Sequence, residues 1–77
     1  VSNVVSREYC AISAYNTGTG NVLKTFSRDR VAAVNAINSL EPPGVYDQLR
    51  QALPYEETRQ YLVRVVGFRK QFLNFNK

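Results

Sequence analysis

The feature that most constrains this chain is a pair of glycines one residue apart, inside Ser13-Ala14-Tyr15-Asn16-Thr17-Gly18-Thr19-Gly20-Asn21-Val22. An apolar, helix-compatible run leads into them and a second helical pattern leaves at Asn21. Gly18 and Gly20 take positive φ without steric cost, so a helix can stop sharply here and the chain can turn. The turn leaves Tyr15 and Asn16 at a helix end. On local chemistry alone this is punctuation, with Tyr15 packed in the core and Asn16 satisfying loose carbonyls.

The rest of the chain reads as helices around that turn. Residues 1–16 form the first, capped by Ser2 or Asn3, with Val5, Tyr9, Ile12 and Asn16 on one stripe and Val4, Ala11 and Tyr15 beside it. A short second helix runs over residues 21–26 and buries Val22, Leu23 and Phe26. Ser27 or Asp29 caps a third, over residues 30–39, whose inner face holds Val31, Val34 and either Ile37 or Asn38. Glu41-Pro42-Pro43-Gly44 reads as a break, because paired prolines remove two donors. A fourth helix over residues 45–52 buries Val45 or Tyr46, Leu49 and Leu53, and Pro54 ends it. The fifth and longest runs over residues 55–75. Thr58, Tyr61, Leu62, Val65, Phe68 or Arg69, Phe72 and Phe75 share its stripe, and Gly67 is its weak point. Glu56 and Glu57 suit the positive end of its dipole; Arg64, Arg69, Lys70 and Lys77 suit the negative end. No strand pattern and no internal repeat appear, so the expected fold is all-α with five helices.

With 77 residues the chain makes one domain at most, with a small core. The formal charge of +4 favours anionic partners without choosing among nucleic acid, anionic lipid and acidic peptide. Cys10 is the only cysteine and there is no histidine, so an internal disulfide and a histidine-activated nucleophile are both excluded. Cys10 reads as a small buried hydrophobe. No apolar run reaches the length of a membrane span, and no signal peptide is evident.

The six acids are Glu8, Asp29, Glu41, Asp47, Glu56 and Glu57. A glycosidase needs a carboxylic acid in an apolar pocket, poised to protonate a leaving oxygen. None of the six sits in such a pattern. Glu56 and Glu57 fall in an exposed first turn, Glu41 precedes prolines, Asp29 is a cap, and Glu8 faces solvent on an otherwise apolar helix.

Two stretches carry a resemblance. Ala14-Tyr15-Asn16-Thr17-Gly18-Thr19-Gly20 resembles the Ala-Tyr-Asn-x-Gly-x-Gly motif of the lytic murein transglycosylases, the lysozyme-like enzymes that cut peptidoglycan. Pro54-Tyr55-Glu56-Glu57-Thr58-Arg59-Gln60-Tyr61-Leu62 is similar to that family's later Pro-Tyr-x-Glu-Thr-x-x-Tyr-Val motif. They occur in the family's order, and the resemblance extends from about Arg7 to Val66. It implies that residues 1–77 are the C-terminal part of a lysozyme-like catalytic domain. The family's catalytic glutamate, carried in a Glu-Ser pair, has no counterpart here and is expected upstream. The resemblance implies cleavage of the bond between N-acetylmuramic acid and N-acetylglucosamine, with a 1,6-anhydromuramyl product and no metal or other cofactor. It implies that Tyr15 and Asn16 line the sugar groove, that Thr17 and Gly18 shape its floor, and that the Tyr61 hydroxyl approaches the glutamate. Without the resemblance, Tyr61 reads as a core tyrosine on an amphipathic stripe. The expected partner is the peptidoglycan glycan strand. The expected place is the periplasm, with an outer-membrane anchor possible in the full-length protein through an upstream segment.

Two other functions fit a small basic helical chain. One is a nucleic-acid binder of helix-turn-helix type. Its positive residues are scattered, with only Arg64, Arg69 and Lys70 clustered, which argues against nucleic acid as the partner. The other is a helical interaction module, including one that self-associates through apolar surface left exposed on an incomplete domain.

Overall fold

The computed structural model describes the backbone of residues 2–75 and the side chains of residues 2–71. The side chains of the stripe positions Phe72 and Phe75, the charge at Lys77 and the helix start at Val1 lie outside that description. Within them the chain is all-α: α1 (Val4–Thr17), α2 (Thr19–Lys24), α3 (Arg30–Ser39), α4 (Pro42–Ala52) and α5 (Glu56–Phe75). The molecule is elongated, 40 × 25 × 17 Å, because α5 alone is about 30 Å long at 1.5 Å per residue. Helix α1 packs against α2, α4 and α5 and is the hub of the fold.

Local chemistry sets the ends of these helices. Asn3 caps α1, its Oδ1 accepting from the Val5 and Ser6 amides at 2.9 and 3.1 Å. Asp29 caps α3, its Oδ2 accepting from the Ala32 amide at 3.1 Å. Leu53 is extended (φ −55°, ψ 138°), as the residue before a proline must be, and α4 ends there.

One expected break moves. Pro42 and Pro43 are the first two residues of α4, so the interruption falls at Leu40 and Glu41 instead. The physical reason is that the first-turn amides have no partner inside the helix. A proline there gives up no hydrogen bond and supplies a helical φ in advance. Helix α2 likewise begins at Thr19, two residues earlier than the pattern suggests, so only Gly18 stands between α1 and α2.

The core is Val22, Ile37, Val45, Leu49, Leu53, Leu62 and Val66, with Tyr9, Cys10, Ile12, Leu23, Phe26 and Tyr46 packed around it. Four expected core positions point outward. Val4 and Val5 are 58% and 42% exposed, Val31 is 66% exposed, and Phe68 is 66% exposed. The inner face of α1 is instead centred on Ser6 and Ser13, both fully buried and two turns apart, and that of α3 on Ala33 and Ile37. Small side chains at these positions let neighbouring helices approach closely, which a stripe of large apolar residues would prevent. Tyr9 meets Tyr46 of α4 in a tilted pair with centroids 5.2 Å apart. Glu8 pairs with Arg69 of α5 at 3.1 Å, and both side chains stay open to solvent.

Candidate functional site

The site is built at the C-terminal end of α1. Gly18 has φ 90° and ψ 151°, and its amide donates to the Ala14 carbonyl at 2.7 Å. That closes α1 and releases the chain at an angle an L-residue adopts only with strain. The next helix is then tied back to the first: Asn21 Nδ2 donates to both the Thr17 carbonyl and Thr17 Oγ1, each at 3.0 Å. Asn21 therefore does the task that local reading assigns to Asn16.

Asn16 is free for a long-range contact. Its Oδ1 accepts a hydrogen bond from Thr58 Oγ1 at 2.7 Å, across 42 residues of sequence. Thr58 is in the first turns of α5 and only 1% exposed, so its hydroxyl has little access to water and Asn16 provides its partner. One turn further along α5, the Tyr61 ring stacks on the Tyr15 ring, centroids 6.4 Å apart and planes 18° from parallel. That distance lies within the range for offset aromatic pairs. Tyr15 is 85% exposed, so it is not the core residue that local chemistry suggests. Tyr61 is half-buried.

The two sequence stretches thus meet at one place through two side-chain pairs, Asn16 with Thr58 and Tyr15 with Tyr61. Beside them lies an open concavity of about 590 Å³. Its walls come from the end of α1 (Asn16 and Thr17), the start of α2 (Asn21) and the entry to α5 (Tyr55, Glu56, Glu57 and Thr58). Tyr15, Gly18 and Tyr61 do not line it; Gly18 forms the turn and the tyrosines stand next to the Asn16–Thr58 contact. Sequence reading missed Asn21 and underrated Thr58. The signal for Asn21 was its position four residues after Thr17, one helical turn away.

The walls are hydroxyls, amides and two carboxylates, suited to hydrogen-bonding a polyhydroxylated ligand. They are not suited to proton transfer from a carboxylic acid. Glu56 and Glu57 are exposed, Glu41 is at the exposed start of α4, Asp29 is a cap, Asp47 faces Arg50 at 3.8 Å and Glu8 is ion-paired. None stands in an apolar pocket. Among the described residues no three His, Cys, Asp or Glu side chains come together as a metal site. The Cys10 thiol is pushed up to about 11 by burial, which makes it a poor nucleophile.

Known proteins share much of this sequence. The chain is 44% identical over 72 residues, 94% of its length, to the membrane-bound lytic murein transglycosylase C of Edwardsiella ictaluri. The protein of the same name from Serratia proteamaculans gives the same figures. The Haemophilus ducreyi protein of that name is 43% identical over 74 residues. The chain is homologous to a segment of the lytic murein transglycosylases. It spans about a fifth (20%) of the length of these relatives. No family model matches it. No helix among the described residues is long and apolar enough to cross a membrane.

Proposed function

We propose that this chain supplies the sugar-groove wall of a peptidoglycan lytic transglycosylase and that the acid–base glutamate belongs to residues outside it. The reading concerns a catalytic domain whose C-terminal part is residues 1–77. The reaction is cleavage of the bond between N-acetylmuramic acid and N-acetylglucosamine, with internal attack by the muramyl 6-hydroxyl and a 1,6-anhydro product. The observation that carries it is the Asn16–Thr58 hydrogen bond, which holds both resembling stretches against one polar concavity. Asn16 and Thr17 bind sugar hydroxyls there, Gly18 holds the turn, Tyr15 offers an exposed ring face to a sugar, and Tyr61 assists the incoming glutamate through its hydroxyl. The relatives are named membrane-bound, which supports a place in the cell envelope, on the periplasmic side. The outward apolar residues Val4, Val5, Val31 and Phe68 are the surface through which the chain meets the remainder of its domain or, in its absence, a second copy.

The test is a chimera. Residues 1–77 replace the matched segment of the Serratia proteamaculans relative, and digestion of purified sacculi is followed by mass spectrometry. The chimera is expected to release 1,6-anhydromuropeptides, and the 77-residue chain alone to release none. Tyr61→Phe in the chimera is expected to slow release while leaving thermal unfolding unchanged, since only the polar tip is lost. A folded but inactive chimera, anhydromuropeptides from the chain alone, or full activity in Tyr61→Phe would each overturn the reading.

A further inference from the structure

A second concavity of about 520 Å³ lies between the end of α4 and the outer side of α5, lined by Arg50, Glu56, Arg59, Gln60, Val63 and Arg64. Its wall holds three arginines and one glutamate. That carboxylate is occupied locally, since Gln60 Nε2 donates to Glu56 Oε1 at 3.3 Å. Two of the guanidiniums are positioned by other contacts. Arg59 Nη1 donates to the Leu53 carbonyl. Arg50 lies over the Tyr46 ring at 5.5 Å, with only a long, solvent-exposed contact to Asp47. Arg64 forms no salt bridge among the described residues. Three like charges on one wall repel one another, which favours an anion there. Guanidiniums suit carboxylates in particular, because their paired N–H groups match the two carboxylate oxygens.

Glu56 is shared by the two concavities, so the arginine-lined one opens next to the polar one walled by Asn16, Thr17 and Thr58. We propose that Arg50, Arg59 and Arg64 bind the carboxylates of a peptide stem whose sugar occupies the neighbouring groove. The inference rests on the peptidoglycan reading and extends it from the glycan to the peptide. Val63, 46% exposed, adds an apolar wall for the small side chains of such a peptide.

The site is tested by NMR titration of the isotope-labelled 77-residue chain with a free stem tetrapeptide, its carboxamide form and chitotetraose, each separately. The tetrapeptide is expected to shift the Arg50, Arg59 and Arg64 side-chain resonances saturably, with binding that weakens as salt is added. The carboxamide form is expected to leave them unmoved. Arg64→Gln and Arg50→Gln, both at exposed positions, are each expected to weaken tetrapeptide binding by roughly tenfold with unchanged circular dichroism. No saturable shift, equal response to the carboxamide form, or unchanged affinity in both variants would overturn the proposal. So would arginine-dependent binding to phosphatidylglycerol vesicles without any response to the tetrapeptide. Chitotetraose reports separately on Asn16 and Thr17. Shifts there without a peptide response remove only the peptide site, and a peptide response without them leaves the peptide site standing while counting against the groove.

Discussion

The Asn16–Thr58 hydrogen bond is the contact on which the site reading depends, and a double-mutant cycle measures it. Thr58→Val keeps the shape of a side chain that is 1% exposed and removes only its hydroxyl; Asn16→Ala removes the acceptor. A hydrogen bond of this kind contributes about 0.5–1.5 kcal/mol net. Asn16 is exposed, so its carbonyl can turn to water when Thr58 loses its hydroxyl, and the new valine methyl gains from burial. Thr58→Val should therefore cost only about 0.5–1 kcal/mol. Asn16→Ala should cost more, about 1–2 kcal/mol, because it leaves the buried threonine hydroxyl without a partner. The double variant should cost less than the sum, with a coupling of about 1 kcal/mol. Urea denaturation followed by circular dichroism at 222 nm reads all four proteins, and the corresponding change in melting temperature is about 4–8 °C per kcal/mol for a chain of this size. Additivity within about 0.3 kcal/mol would show that the two side chains do not interact in solution, and the link between the two stretches would fall.

Three further outcomes follow from individual residues. Gly18→Ala should destabilise by about 1 kcal/mol or more, because φ is 90° there, whereas Gly67→Ala should stabilise by about 0.5–1 kcal/mol, because its added Cβ meets nothing within 4 Å; chemical denaturation of both variants checks the opposite signs. Ser6→Ala should raise the melting temperature, since the buried Ser6 hydroxyl has no hydrogen-bond partner among the described residues and the smaller side chain needs none; a fall would show that a partner exists. Cys10 should react with iodoacetamide at pH 8 about 100-fold more slowly in the folded chain than in urea, because burial raises its thiol from 9.0 to about 11. The same shift fixes a stability slope: between pH 9 and 11 the unfolded thiol loses its proton first, so the native state binds more protons and stability falls as pH rises through that window. Equal alkylation rates, or stability that rises there, would refute the burial.

What the sequence by itself determined lies within a few residues of its cause. Asn3 and Asp29 cap α1 and α3 because a short polar side chain reaches amides two or three residues on. Gly18 ends α1 through its own φ, and Leu53 ends α4 because a proline follows. The five-helix, strand-free architecture was legible for the same reason, and so was the pairing of Tyr-Asn-Thr-Gly with the later Thr-Arg-Gln-Tyr stretch as marks of one family. The double proline shows the limit of such rules: the same missing amide that breaks a helix interior starts a helix when it falls in the first turn. Tertiary structure alone decided which faces are buried. Val4, Val5, Val31 and Phe68 carry the apolar character that periodicity looks for, yet they point outward while Ser6, Ser13 and Ala33 turn inward. Hydrophobicity sets how much surface a helix gains by hiding, but the distance at which helices cross sets which side chains fit between them. The partner of a hydroxyl is equally non-local. Nothing near Asn16 in the chain announces that its acceptor belongs to Thr58 rather than to its own helix end. That choice was made when Asn21 took the Thr17 carbonyl and α5 came to rest against α1.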